Sequence, residues 1–212
     1  MKPFIPLYVH PVADPDAWVR VARWGGAATV VVNVHNGPGE AVDPGYRSAT
    51  ARLAAAGVPM LGYVDLDYGF RPGSVVHVDI ERWSRYPVSG VFFDRVPTGA
   101  AGLGTVADAC AGVAGTVVLN PGTRPDPGYL DLAEVVCTYE GPWASYDPAP
   151  GTAQEAHLVY GVPPERWDEA VALVGARVPY GFVTERDAPL PYLGLPARSA
   201  VEARSAVEGG RG

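Results

Sequence analysis

The chain has 212 residues, with 16 Lys and Arg against 23 Asp and Glu and a formal charge of −7. That length suffices for one large core, and the acidic balance, relieved by no basic cluster, argues against nucleic acid or an anionic membrane as partner. Cys110 and Cys137 sit in apolar stretches without metal-ligand spacing and read as buried thiols, and no apolar run is long enough to span a bilayer.

The sequence opens Met-Lys-Pro without an apolar leader core. As written it reads as cytoplasmic, soluble and monomeric; a leader removed in maturation would leave the same record on a secreted protein. A mild negative charge also serves solubility alone.

Eight short apolar runs rich in β-branched or aromatic residues are predicted strands, at residues 4–9, 29–33, 60–64, 90–93, 116–120, 135–139, 155–159 and 180–184. Helices are predicted between them. Pro15-Asp16 opens AWVRVARW, and residues 46–56, 100–114 and 164–174 are each followed by a glycine (Gly57, Gly115, Gly175) suited to a left-handed C-cap. Residues 74–85 and 129–133 carry weaker helical marks, and GPWASYDPAPGTAQ after Glu140 reads as a long loop. Residues 199–208, rich in Ala and charge, are expected to form the last helix, with 209–212 frayed. Near-continuous apolar strands alternating with helices predict a parallel sheet, and eight repeats predict an α/β fold of the compact (β/α)8 TIM type, a single domain over residues 1–208.

In such a barrel, chemistry gathers at the C-terminal ends of the strands. Those ends carry His10, Asn33 with His35 and Asn36, Asp65 with Asp67 and Tyr68, Asp94, Asn120, Glu140, Tyr160 and Thr184, whereas the opposite ends are mostly Gly, Ala, Pro and Val. Two of the rim residues, Asp94 in GVFFDRVP and Glu140 in VVCTYEGPW, are acids placed where an apolar run gives way to a turn. Glycosidic cleavage needs such a facing pair: one carboxyl protonates the leaving oxygen, and the other attacks or activates water. Against this, Asp94 is also a natural cap for the next element, and Glu140 a possible solvated loop acid.

Substrate-binding candidates are His10, Asn33, Asn36, Tyr63, Asp65, Tyr68, Asn120, Trp143, Tyr160 and Thr184, the aromatic ones for stacking on sugar faces; each aromatic has an ordinary core or loop role as its alternative. The NGPG turn at residues 36–39 lacks the Lys and spacing of a phosphate loop. His35, His77 and His157 form no HExxH-like pattern, so no metal and no cofactor is expected. No GxSxG elbow is present for a serine hydrolase.

Taken in order, IPLYVHP, NVHNGPG, GYVDLDYGFR, VFFDRVP, LNPGT and VCTYE, spanning residues 4–140, resemble the spherulation-specific family 4, or spherulin 4, proteins. The resemblance implies a (β/α) barrel and, from characterised fungal members, an endo-acting glycoside hydrolase on α-1,4-linked N-acetylgalactosamine polymers. It also places the catalytic acids on Asp94 and Glu140. One departure is visible: the family commonly reads FFDE where this chain has Arg95. Arg95 is expected to lower the pKa of Asp94 and to disfavour a cationic galactosamine polymer. If the lost acid is the working one, the chain is a non-catalytic carbohydrate-binding pseudoenzyme; a barrel enzyme acting on an intracellular metabolite is a third reading.

Overall fold

The computed structural model describes residues 1–198, and there the predicted strands assemble in chain order. They are β1 (Lys2–Leu7), β2 (Thr29–Val32), β3 (Met60–Asp65), β4 (Gly90–Asp94), β5 (Thr116–Asn120), β6 (Val135–Pro142), β7 (Glu155–Tyr160) and β8 (Tyr180–Val183). Every neighbouring pair is parallel, and β8 closes on β1 through Lys2 opposite Tyr180 and Pro3 opposite Gly181. The expected eight-stranded barrel is therefore present. β1 begins two residues earlier than its apolar run because Lys2 and Pro3 make that closure, and it ends at Leu7, before Tyr8 and Val9.

Among the described residues five α-helices cover the outside: α1 (Pro15–Trp24), α2 (Pro44–Ala55), α3 (Gly73–Arg82), α4 (Leu103–Ala111) and α5 (Trp167–Arg177). The first two start as their sequences dictate, with Pro in the first turn. Asp14 caps α1 by accepting the Ala17 N–H at 3.0 Å, and Asp43 caps α2 by accepting that of Tyr46 at 2.9 Å. Gly57, with φ +74°, reverses the chain after α2 as expected.

Two helix ends differ from the glycine rule. α4 stops at Gly112, where a β-carbon would approach the His77 ring to 2.8 Å, instead of running to Gly115. α5 passes through Gly175 and ends at Arg177. The weak helix near residues 129–133 is only a 3₁₀ turn (Pro127–Asp131), and the long loop after Glu140 contains another (Trp143–Ser145). The expected helix at 199–208 and the tail at 209–212 lie outside the described residues.

Inside the barrel, aromatic rings fill the axis: Phe92 packs against Phe4 and Tyr63 at centroid distances of 5.7 and 6.3 Å. On the outer face of β3, Gly62 leaves room for the Trp83 indole, whose Nε1 donates to the Tyr63 carbonyl at 2.9 Å. A smaller apolar cluster around Trp143, Tyr146, Val159, Trp167 and Val174 packs outside β7, under α5 and the β6–β7 loop. Cys137 is buried as expected, while Cys110 is only partly so; both are free thiols.

Strand register places the rim chemistry. Asp65 of β3 stands opposite Asp94 of β4, and Asp94 stands opposite Asn120 of β5, so the three share one row across the barrel mouth. β6 reaches the same mouth by an irregularity: its pairing with β7 shifts between Cys137 and Tyr139, leaving Thr138 as the extra residue of a bulge. Its hydroxyl donates to Glu155 Oε2 at 2.6 Å. Past the bulge, Tyr139 joins the outer cluster while Glu140 turns into the mouth. Glu140 is thus inside the strand, two residues before its end, and not on the turn where the sequence suggested it.

Candidate active site

Asn120 is the hinge of the arrangement. Its Nδ2 donates to Asp94 Oδ1 at 2.8 Å and to Glu140 Oε2 at 2.6 Å, one amide hydrogen for each acid. Its Oδ1 accepts the Gly122 N–H at 3.1 Å, which fixes the amide's orientation. The two facing carboxyl oxygens therefore stand no farther apart than those two bonds laid end to end, 2.8 and 2.6 Å.

Each acid has a further donor. Tyr63 donates its hydroxyl to Asp94 Oδ2 at 2.8 Å, and Tyr192 donates its own to Glu140 Oε1 at 2.6 Å. Asp94 also accepts the Arg95 N–H. Burial pushes both carboxyls above the ordinary range; Glu140 is raised further by the charge of Asp94, while the hydrogen bonds on each acid oppose the rise. Two acids this close do not easily ionise together, so the pair tends to hold one proton. With three donors against two, Asp94 is the better placed to carry the negative charge.

The Arg95 side chain does not do what the sequence suggested. Its guanidinium turns away from Asp94 and pairs with Asp65, through Nε at 2.8 Å and Nη2, and with Asp67 at 3.0 Å. Asp94 is raised by burial and not lowered as expected, since of Arg95 only the backbone N–H, and not the guanidinium, is among the groups that oppose the rise. Burial works against ionised Asp65, yet Arg95, the Asp67 N–H and Asn36 together hold it below the usual carboxylate range. Asn36, in left-handed backbone at φ +47°, donates to Asp65 Oδ2 at 3.1 Å.

Two lobes of space meet at the acids. One, of about 360 Å³, is lined by Tyr8, Leu158, Tyr160 and a wall of residues 188–193; the other, of about 370 Å³, by Tyr68, Arg95, Pro121 and Gly122. Asp94, Asn120, Glu140 and Tyr160 border both. Tyr68 is half-exposed, with Arg95 over its ring at 5.6 Å.

The remaining candidates stand off this cleft. His10 contacts Asp43 Oδ2 at 3.4 Å and packs edge-on to Tyr46; Asn33 accepts the Gly37 N–H at 2.9 Å and so shapes the NGPG turn. Trp143 is buried in the outer cluster, stacked on Tyr146 under the Arg166 guanidinium, and is not available to a sugar face from there. Thr184 is fully buried, and its Oγ1 accepts the Arg186 N–H at 3.2 Å. Tyr8, Leu158 and Tyr192 were not singled out from the sequence. Tyr8 shares the inward parity of Phe4, a signal that was available; Tyr192 lies in the proline-rich stretch APLPYLGLP, where local pattern gives no direction. Among the described residues no cluster of three or more His, Cys, Asp or Glu is arranged to hold a metal ion, and no helix is long and apolar enough to cross a membrane.

Comparison with known proteins follows the same lines. The model of spherulation-specific family 4 matches residues 3–202. Spherulin-4 of Physarum polycephalum is 34% identical over 148 residues, which cover 66% of this chain and 45% of that protein, so this chain spans under half of that relative's length. Among solved structures, Aspergillus clavatus Sph3, crystallised in complex with GalNAc, superposes with a TM-score of 0.81 at 29% identity over 92% of this chain and 93% of that one.

Proposed function

This chain belongs to spherulation-specific family 4, and on that premise we propose that it is a glycoside hydrolase, cutting an N-acetylgalactosamine- or galactosamine-type polysaccharide, or a related glycan, at internal linkages. The observation that carries the reading is the single Asn120 amide holding Asp94 and Glu140 together at the barrel mouth. The GalNAc bound by the structurally similar Sph3 supports a sugar of this type.

Glu140, deep in the mouth and raised by burial and by Asp94, keeps a proton for the leaving oxygen. Asp94, held by Tyr63, Asn120 and the Arg95 N–H, stays ionised and attacks the anomeric carbon. The spacing suits this division: retaining enzymes place their acids about 5 to 5.5 Å apart and inverting ones about 6.5 to 9.5 Å, and the facing oxygens here, both on one Nδ2 at 2.8 and 2.6 Å, fall short of the wider range. Glu140 then serves as base toward the water that releases the product, with retention of configuration. The two lobes flanking the acids supply room for sugar units on either side of the scissile bond.

The test is turnover of α-linked N-acetylgalactosamine oligomers by wild type, Asp94→Asn and Glu140→Gln. Acid and base help is worth about 10² to 10⁴-fold, so each variant should lose at least about 10² in kcat while folding and binding as before. A wild type that binds such oligomers and cleaves none would leave a carbohydrate-binding protein without the chemistry.

A further inference from the structure

The segment after β8 contributes more than a wall to the cleft. Tyr192 is nearly buried, packs edge-on to Tyr8 at 5.7 Å and against Phe182 at 6.0 Å, and accepts the Tyr8 N–H on its carbonyl at 3.1 Å. From this packed ring the hydroxyl donates to Glu140 Oε1 at 2.6 Å. Tyr63 mirrors it from β3: its ring is edge-on to the same Tyr8 at 5.6 Å, and its hydroxyl meets Asp94. Each acid thus has its own tyrosine, and one central ring sets the spacing of both.

The two acids differ in what else holds them. Asp94 has Asn120 and a backbone N–H besides its tyrosine, whereas Glu140 has only Asn120. We propose that Tyr192 is a positioning residue for the reaction inferred above: it orients the Glu140 carboxyl and stabilises the carboxylate left when the proton passes to the departing sugar oxygen. This rests on the glycosidase reading of the site. A hydrogen bond to a charged acceptor is roughly twice as strong as one between neutral groups, so the Tyr192 contact is strongest when Glu140 has just lost its proton, which is the state the transition state approaches.

The titratable groups facing Glu140 are Asp94 from β4, Cys137 from β6 itself, Tyr8 beyond β1, Tyr160 from β7 and Tyr192. The thiol and phenols remain neutral through the working range, each pushed upward chiefly by burial, so Asp94 is the one charge among them. Losing the Tyr192 hydroxyl leaves burial and Asp94 opposed by Asn120 alone.

Tyr192→Phe keeps the ring and its packing and removes only the donor. The measurement is a carbon-13 NMR titration of the Glu140 carboxyl, assigned with Glu140→Gln, run beside the pH profile of kcat/KM on N-acetylgalactosamine oligomers. The Glu140 midpoint should rise by about one unit or more, a tenfold change in its proton affinity, and the basic limb of the profile should move up with it. At the plateau kcat should fall about tenfold with KM little changed, while Tyr63→Phe should move the Asp94 midpoint instead. An unmoved Glu140 midpoint in correctly folded Tyr192→Phe overturns the proposal and leaves the glycosidase reading standing. A midpoint that moves in a wild-type background turning over no glycan sinks that reading, while the link between Tyr192 and the Glu140 ionisation holds.

Discussion

At the residue scale, the site is built from neutral donors aimed at two half-buried acids, and Asn120 is the one they share. Replacing it with Ala removes a hydrogen bond from each carboxyl and the link between them, leaving Asp94 to Tyr63 and the Arg95 N–H and Glu140 to Tyr192 alone. We expect Asn120→Ala to lose at least about 10²-fold in kcat, as the acids it aligns would, with the melting temperature little changed; kinetics beside a thermal melt checks this. Arg95 makes the opposite case. Its charge is engaged with Asp65 and Asp67, so Arg95→Glu would set a third acid against buried Asp65 and restore nothing. The expected result is a loss of about 1 to 3 kcal/mol of stability, below the range for a fully buried pair because the guanidinium is 40% exposed, and no gain in turnover; urea unfolding and the oligomer assay measure the two.

At the scale of elements, strands were legible because parallel barrel strands are apolar on both faces, and their ends fell within a few residues of the runs seen in the sequence. Asp94 and Asn120 could be placed for the same reason: each closes an unbroken strand. Glu140 had the right side of the barrel for a reason the sequence hides. Strict alternation from inward Cys137 would have sent it outward, and only the bulge at Thr138 brings it in. Trp143 misled because an aromatic beside a rim acid looks the same whether it faces a sugar or the outer cluster. Glycine positions were harder still, since a role such as that of Gly62 depends on a tryptophan from α3's end, 21 residues on. A β-carbon at Gly62 would come within 2.3 Å of the Trp83 ring. Gly62→Ala should therefore cost about 1 to 3 kcal/mol by overpacking, read as a lower denaturant midpoint with unchanged slope.

At the scale of the whole molecule, opposing ionisations shape stability against pH. Asp94 and Glu140 bind protons more tightly folded than unfolded, so their contribution is complete below the ordinary carboxylate range and drains away as pH rises through their elevated values. His157, buried beside Tyr146 and pushed down to about 4, acts in reverse: its contribution is present above about 6.5 and is lost as pH falls toward 4. Glu140→Gln removes part of the alkaline loss. Its melting temperature should exceed that of wild type at pH 8, with the advantage vanishing near pH 4; the same difference at both pH values would contradict this. Finally, the acids lie where two lobes join, and under the proposed glycosidase reading a long glycan laid through both is severed away from its ends. A solution of the polymer should then thin early, its viscosity collapsing while few new reducing ends have appeared, whereas removal of sugars one by one from a terminus would leave it thick until most of the chain was gone.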